Sequence, residues 1–333
     1  MKKSDKGKEI FEGFDKKIKE LEEKIESPET EKEIRAWLKF QSRFHNYSLH
    51  NTIWMMLQAK ARDVEIERVA PFKKWVEMTG DQGQKVTINK GAKGFTVLFP
   101  YEHIVYERDA KGRFLTDDNG EKIPELDEND KIRKIRCFGI GYVFDIKQTN
   151  AKEIGAFKDL EHRGKDIPID ADLVKEVANR ITAKYKIPVD FVKDPGCTAG
   201  GWYNPCDKKI GVNLAVCKNN AHRLGTLFHE LGHSKTLDDS RNSRKLAEGK
   251  AEAFAYAACS AFGIERNSQL YIKHWVSDKY SLKDVMGDIS KKVREAFNDL
   301  KLHELALEQS QELNQNQEQA AEMVAQGESK DGI

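Results

Sequence analysis

The stretch Thr226-Leu227-Phe228-His229-Glu230-Leu231-Gly232-His233 carries the motif H-E-x-x-H within an apolar run that is compatible with a helix. Residues four apart lie on one face of a helix, so His229 and His233 can offer two imidazoles to one metal ion. Glu230 can then reach a water molecule held on that metal, as the general base of a zinc peptidase does. The motif therefore predicts a catalytic centre with Zn²⁺ as its cofactor and Glu230 as its catalytic residue.

A catalytic zinc ion usually keeps three protein ligands and one open position, and His, His, Glu is a common set. Two glutamates follow in an Ala-rich stretch, residues 247–258, that is expected to form a second helix. Glu252 is the preferred third ligand because it lies among alanines, where an unpaired carboxylate would be costly. Glu248, one turn earlier and beside Gly249, is the alternative.

Composition sets wide bounds on the class of protein. The 333 residues are enough for two domains, and the net charge of +1 indicates no particular partner. Five cysteines without a C-x-x-C pair favour reduced thiols over a disulfide framework, and therefore a cytoplasmic protein. The basic start is followed by no apolar run, so neither a secretory signal nor membrane association is expected. The oligomeric state stays open.

The hydrophobic pattern predicts an α+β fold with a metallopeptidase domain in its second half. A charged amphipathic helix ends near Ser27-Pro28, and a second helical stretch covers residues 30–60. Short strands are predicted next, with an acidic loop at 117–130, and together they form a small, mostly antiparallel sheet. The strands are expected at 86–88, 95–99, 101–108 and 137–146.

The second half begins with a predicted helix at 170–185 and a strand at 188–192. Two more strands within 199–212 precede the metal-bearing helices, and a long helical region is expected at 271–305. Four segments result. They are a first domain at 1–150, a linker at 151–168, a peptidase domain at 169–305 and a Gln- and Glu-rich tail at 306–333 that is frayed or disordered.

Basic side chains interleaved with aromatic ones suggest binding to single-stranded DNA, since aromatics stack on unpaired bases and cations track phosphates. For any single aromatic, packing in the core is the more common role. The Gly- and Lys-bearing turn at 89–94 adds cations that could meet a phosphate. The candidate DNA-binding residues are Arg35, Lys39, Arg43, Phe44, Tyr47, Asn51, Lys85, Lys90, Lys93, Arg133 and Arg136.

The strand ahead of the H-E-x-x-H helix is a candidate wall for a peptide substrate, which could add to it as an extra strand. Trp202 and Tyr203 lie on this strand. The Tyr203 hydroxyl is a candidate donor to the developing oxyanion, although a strand tyrosine is more often a packing residue. A protein or peptide substrate of unknown identity is thus an expected partner.

Together these pieces resemble the ArdC-type antirestriction proteins. In the second half the resemblance is carried by Gly-Gly-Trp-Tyr-Asn-Pro at 200–205, Asp207, Ile210, 229–233, 251–252 and 271–275. In the first half it is carried, more weakly, by 47–51, the region of Trp75, 90–94 and 143–149. The charged first helix and the Gln-rich tail are not part of the shared pattern.

The resemblance implies an N-terminal domain that binds single-stranded DNA and a C-terminal, gluzincin-like endopeptidase domain. Such proteins are carried on mobile elements and protect incoming DNA from restriction in a new host. The motif is also similar to the IrrE/ImmA type, whose peptidase domain acts on a repressor. In that alternative the N-terminal domain binds protein and not DNA.

Overall fold

The computed structural model describes residues 3–156, 169–193, 195–236, 243–266 and 268–311. Most of the predicted linker and the tail beyond residue 311 lie outside these ranges. The class is α+β, as predicted. The helices are α1 (Lys3–Glu23), α2 (Pro28–Arg43), α3 (Leu49–Ala61), α4 (Phe72–Glu77), α5 (Ala171–Tyr185), α6 (Asn220–Lys235), α7 (Arg244–Ala261) and α8 (Leu282–Leu300). The strands are β1 (Val69–Pro71), β2 (Phe95–Ile104), β3 (Lys134–Asp145), β4 (Val189–Val192), β5 (Gly201–Asn204) and β6 (Lys209–Asn213).

The chain packs as two compact units that do not follow chain order. The ribbon unit consists of Met1–Asp15 and Trp54–Phe157, and the motif unit consists of Lys16–Ile53 and Lys158–Ile333. The predicted first domain, residues 1–150, is therefore divided between the two units. Periodicity identified the apolar face of α2 but could not identify what covers it, and that partner is helix α7 from the second half of the chain.

Two stretches that were predicted as continuous helices are interrupted in the structure, because a side chain caps the start of a new helix within each. Residues 30–60 form α2 and α3 because the Ser48 hydroxyl accepts the backbone N–H of Asn51 and starts a new helix. The long helix expected at 271–305 begins only at Leu282, where Ser281 and Asp284 form a capping box. Before it lies a single 3₁₀ turn, Ile272–His274.

The ribbon unit is built on an antiparallel sheet with the strand order β1-β3-β2. Its longest feature is the pairing of β2 with β3, from Phe95 opposite Val143 to Ile104 opposite Lys134. The strand predicted at 86–88 is wrong. That segment makes one isolated bridge, from Ile88 to Thr149, and Val86 packs in a small core with Trp75.

The segment between β2 and β3, which contains the predicted acidic loop at 117–130, is a chain of tight turns. Asp109, Asp117 and Asp127 each use Oδ1 to accept the backbone N–H groups two and four residues further on. The residue three positions after each aspartate has a positive φ, which two glycines and one aspartate supply. These three carboxylates therefore shape turns, and that role accounts for part of the acidity.

The motif unit contains a second sheet with the order β4-β6-β5. β4 runs parallel to β6, whereas β5 pairs with β6 in an antiparallel hairpin. Helix α6 packs against β5 and β6 on one side and against α7 on another. This arrangement brings the H-E-x-x-H helix beside an edge strand. Within the described residues, no helix has the length and apolar character that crossing a membrane requires.

Candidate metal centre

Helix α6 presents both histidines because its ends and its buried face are well defined. The Asn219 side chain caps its first turn by accepting the backbone N–H of His222 at 2.8 Å. Leu224, Leu227 and Leu231 are fully buried at helical spacing and hold one face against the core. His229 and His233 lie one turn apart on an adjoining face and are partly exposed.

Helix α7 approaches α6 closely because Gly232 leaves room, and Gly249 leaves room for Trp275. A Cβ on Gly232 would lie 2.9 Å from the Cα of Ala251, nearer than real side chains come to a backbone. A Cβ on Gly249 would lie 2.6 Å from Nε1 of Trp275. Gly232 on α6 and the Ala-rich face of α7 therefore set the distance between the carboxylates of α7 and the two histidines.

Three side chains converge at this contact. Nε2 of His229 and Nε2 of His233 are 3.0 Å apart, and Oε2 of Glu248 lies 3.5 Å from the first and 3.4 Å from the second. Ligand atoms about 2.1 Å from a tetrahedral zinc ion lie roughly 3.4 Å from one another. The three atoms are therefore spaced as ligands of one metal ion, and they form a possible metal site.

The preference for Glu252 as third ligand is not what this geometry favours. Its Oε2 accepts from Nδ1 of His229 at 3.0 Å, on the other side of the imidazole ring. Arg266 donates to both of its oxygens at 2.8 Å, and the Ser268 hydroxyl donates to Oε1. In this geometry Glu252 is placed to orient His229, and Glu248, the alternative, is the carboxylate spaced for the third ligand position.

The charges of the centre suit a cation. Burial lowers the pKa of His229, but hydrogen bonds to Glu248 and Glu252 outweigh it and raise that pKa to about 9. The two histidines lower the pKa of the Glu248 carboxyl. Burial raises the pKa of Glu252, but hydrogen bonds from His229 and Arg266 prevail and bring it to about 2. Both carboxyls are ionised at neutral pH, as metal ligands and their partners need to be.

Glu230 lies beside the ligands and is not one of them. It is 6% exposed, and the backbone of Tyr203 on β5 hydrogen-bonds its carboxylate. Burial raises the pKa of Glu230, against the charges of His229 and His233. A carboxylate with a raised pKa is a better proton acceptor and donor near neutral pH, so the position fits the predicted general base.

The edge strand β5 places its two aromatic residues differently. A Cβ on Gly201 would meet Thr226 and Glu230 of α6, so the face shared by Gly201 and Tyr203 is turned to that helix. Trp202 lies on the opposite face, where its ring covers Gly211 of β6. Tyr203 therefore stays a candidate for contact with substrate, whereas Trp202 is a packing residue.

The six candidate DNA-binding residues between Arg35 and Asn51 fall in the motif unit, and several make contacts within it. Phe44 and Asn51 are 5% and 7% exposed, so neither can stack on or contact a base. Arg35 donates to backbone carbonyls near Glu252. Arg43 and Tyr47 are both half-buried, and each contacts the ring of Phe44. Of the six, only Lys39 is fully exposed.

The other five candidates fall in the ribbon unit and are exposed. They are Lys85, Lys90, Lys93, Arg133 and Arg136. Arg133 forms an ion pair with Glu125 at 2.5 Å. Sequence reasoning missed the aromatic residues of the same unit, although the alternation along β2 could have indicated them. Apart from Tyr271, every exposed large hydrophobic residue of the described chain lies in the ribbon unit.

Phe99 and Tyr101 are the clearest of these exposed aromatics. They are 47% and 45% exposed, and they lie on one face of β2 with their ring centroids 6.2 Å apart. Gly139 and Gly141 occupy the same face of β3, and a Cβ on Gly139 would lie 2.5 Å from the Phe99 ring. The ring of Phe99 thus lies across Gly139 of the neighbouring strand, and the residue stays exposed.

Comparison with known proteins gives two matches. Residues 4–144 match the family model for the N-terminal domain of anti-restriction factor ArdC. The crystal structure of the antirestriction ArdC protein from R388 plasmid, in a metal-free form, aligns with 18% identity and a TM-score of 0.42. That alignment covers 80% of this chain and 86% of that one. No curated protein matches the chain.

Proposed function

We propose that this chain, whose residues 4–144 match the N-terminal domain of anti-restriction factor ArdC, is an ArdC-type antirestriction protein of a mobile element that joins single-stranded-DNA binding to a zinc-dependent endopeptidase. The main support for the proposed peptidase activity is the spacing of the three candidate ligand atoms, which lie beside the buried Glu230. A gluzincin-like arrangement, with a glutamate on a second helix as third ligand, accounts for this spacing.

His229, His233 and Glu248 would hold the zinc ion. When bound, the metal would supply a Lewis acid that polarises a peptide carbonyl and makes water more acidic. Glu230 takes the proton of the attacking water and passes it to the leaving amine. Glu252 keeps Nδ1 of His229 engaged, so that Nε2 points to the other ligands. The edge of β5 offers backbone groups on which an extended peptide can lie, with Tyr203 on the side of α6.

Single-stranded DNA is the partner proposed for the ribbon unit. The family of residues 4–144 supports it, as does the concentration of exposed aromatics in this unit. Phe99 and Tyr101 offer stacking surfaces, and the exposed Lys90, Lys93 and Arg136 offer cations for phosphates. The alternative of a repressor-directed peptidase has the same metal centre but needs no DNA binding.

Transfer of an unmodified plasmid into a restricting recipient tests the proposal as a whole. Cells expressing the wild-type chain should receive more plasmid than cells without it, and a non-restricting recipient is the control. Equal transfer with and without the chain would refute the antirestriction role. Survival of the protection in Glu230→Gln would show that shielding of DNA suffices without peptidase activity.

A further inference from the structure

Arg35 on helix α2 lies at the start of a hydrogen-bonded path that leads to His229. Its Nη1 donates to the backbone carbonyl of Arg266 at 3.3 Å, and its Nη2 donates to that of Ser268 at 2.6 Å. The side chains of these same two residues hold the Glu252 carboxylate, which in turn accepts from Nδ1 of His229. All of these residues belong to the motif unit.

The segment that Arg35 holds has no regular structure of its own. Residues 262–266 and 268–271 lie in no helix or strand. Backbone N–H groups of residues 262–264 bond to the end of α7, whereas the carbonyls of Arg266 and Ser268 accept from the Arg35 side chain. A guanidinium presents its donors in a rigid fork, and Arg35 uses two arms of that fork on two carbonyls. Lysine, with one flexible ammonium group, cannot reproduce this geometry.

The guanidinium of Arg35 is itself held in place. Glu31, one turn earlier on α2, accepts from Nε at 3.0 Å and from Nη2 at 2.5 Å. The ring of Tyr256 on α7 lies 5.2 Å from the guanidinium carbon, within range of a cation–π contact. The Arg35 side chain is only 22% exposed, so these contacts are shielded from solvent.

We propose that Arg35 is a positioning residue of the metal centre. By fixing the backbone at residues 266 and 268, it keeps Arg266 and Ser268 on Glu252, and Glu252 on His229. A histidine whose second nitrogen is held in this way keeps its ring orientation and binds metal more tightly. This role differs from the DNA contact predicted for Arg35, and it rests on the metal centre of the proposed function.

The test compares the full-length wild-type chain with Arg35→Ala, Arg35→Lys and Lys39→Ala. Lys39 is the matched control because it is exposed and lies one turn further along α2. Three quantities are measured: the zinc dissociation constant by competition with a chromophoric chelator, the visible spectrum of the Co²⁺-loaded protein, and the free energy of unfolding of the metal-free protein in urea. The last separates the metal site from general stability.

Arg35→Ala should weaken zinc binding about tenfold, the lower end of the range for groups that orient metal ligands. Its Co²⁺ spectrum should change because the ligand geometry changes. Arg35→Lys should show most of the same loss, and Lys39→Ala should match the wild type in both measurements. If Arg35→Ala does not fold, the zinc affinities of Arg35→Lys and Ser268→Ala test the proposal instead, and both variants should bind zinc more weakly than the wild type.

Wild-type zinc affinity and an unchanged Co²⁺ spectrum in Arg35→Ala would overturn the proposal. So would a loss of unfolding free energy without a change in the metal site, since Arg35 would then be a structural residue only. The same variants are also titrated with a single-stranded oligonucleotide, and weaker binding by Arg35→Ala with unchanged zinc affinity would restore the DNA role and overturn the proposal. If the wild type itself binds no stoichiometric zinc, the proposed peptidase fails first, and this outcome is distinct from the other three.

Discussion

Gly232 on α6 and Ala251 on α7 touch so closely that a Cβ on the glycine would lie 2.9 Å from the alanine Cα and 3.0 Å from its carbonyl oxygen. The contact occurs one residue before His233 and one residue before Glu252. The separation of the two helices therefore determines how far the carboxylates of α7 stand from the imidazoles of α6. A side chain at this glycine must push the helices apart.

Gly232→Ala should destabilise the protein by about 1–3 kcal/mol, the usual cost of overpacking a core, and should weaken zinc binding as well. Gly287→Ala on α8 is the matched control, because a Cβ there meets nothing within 4 Å. The control should be neutral or stabilising by up to about 1 kcal/mol, since alanine is the better helix former. Urea unfolding and chelator competition measure both effects, and equal results for the two variants would contradict the close contact.

Glu248 and Glu252 should differ when each is changed to alanine. Glu248→Ala removes a ligand and should abolish stoichiometric zinc binding. Glu252→Ala leaves all three ligands and should weaken binding by about 10–100-fold. It should also destabilise the metal-free protein more, because Arg266 is largely buried and loses its carboxylate partner. The reverse order of zinc affinities would restore Glu252 as the ligand.

Glu230→Gln should keep zinc and lose turnover. Glutamine has nearly the same shape but accepts no proton, and general-base catalysis typically contributes about 10²–10⁴-fold to rate. Zinc content by elemental analysis and hydrolysis of a fluorescently labelled unfolded protein, which the wild type must cleave, give the two measurements. A mutant that cleaves at the wild-type rate would remove Glu230 from the mechanism.

Phe99→Ala and Tyr101→Ala should each weaken binding to a single-stranded oligonucleotide by about 1–3 kcal/mol, the usual range for one stacked base. Phe72→Ala is the control, because Phe72 is 56% exposed in the same unit but lies on α4. Fluorescence anisotropy over a salt series gives the affinities. Binding that is insensitive to salt would exclude phosphate contacts, and no binding by the wild type would favour a protein partner for the ribbon unit.

Several features of this protein could be predicted from the sequence because they depend only on residues that lie close together in it. His229 and His233 could be paired from sequence because a four-residue spacing on a helix is a local relation, and Glu230 follows from the same turn. The strands predicted at 95–99 and 137–146 were found in β2 and β3, since alternation along a strand is local, but the separate strand predicted at 101–108 is the continuation of β2 and ends at Ile104. The segment at 86–88 shows the limit, because its β-like residues serve a small core around Trp75 and not a ladder.

Tertiary structure decided the rest. Glu248 and Glu252 lie one turn apart on the same helix, so sequence spacing fits either as the third ligand. The choice depends on Arg266 and Ser268, which come from a loop and bind Glu252 while leaving Glu248 beside the Nε2 atoms. In the same way, the periodicity of α2 defined a buried face without its partner. Only packing against α7 shows that Arg35, a predicted DNA contact, lies beside the loop that holds Glu252, because long-range contacts leave no spacing rule in the sequence.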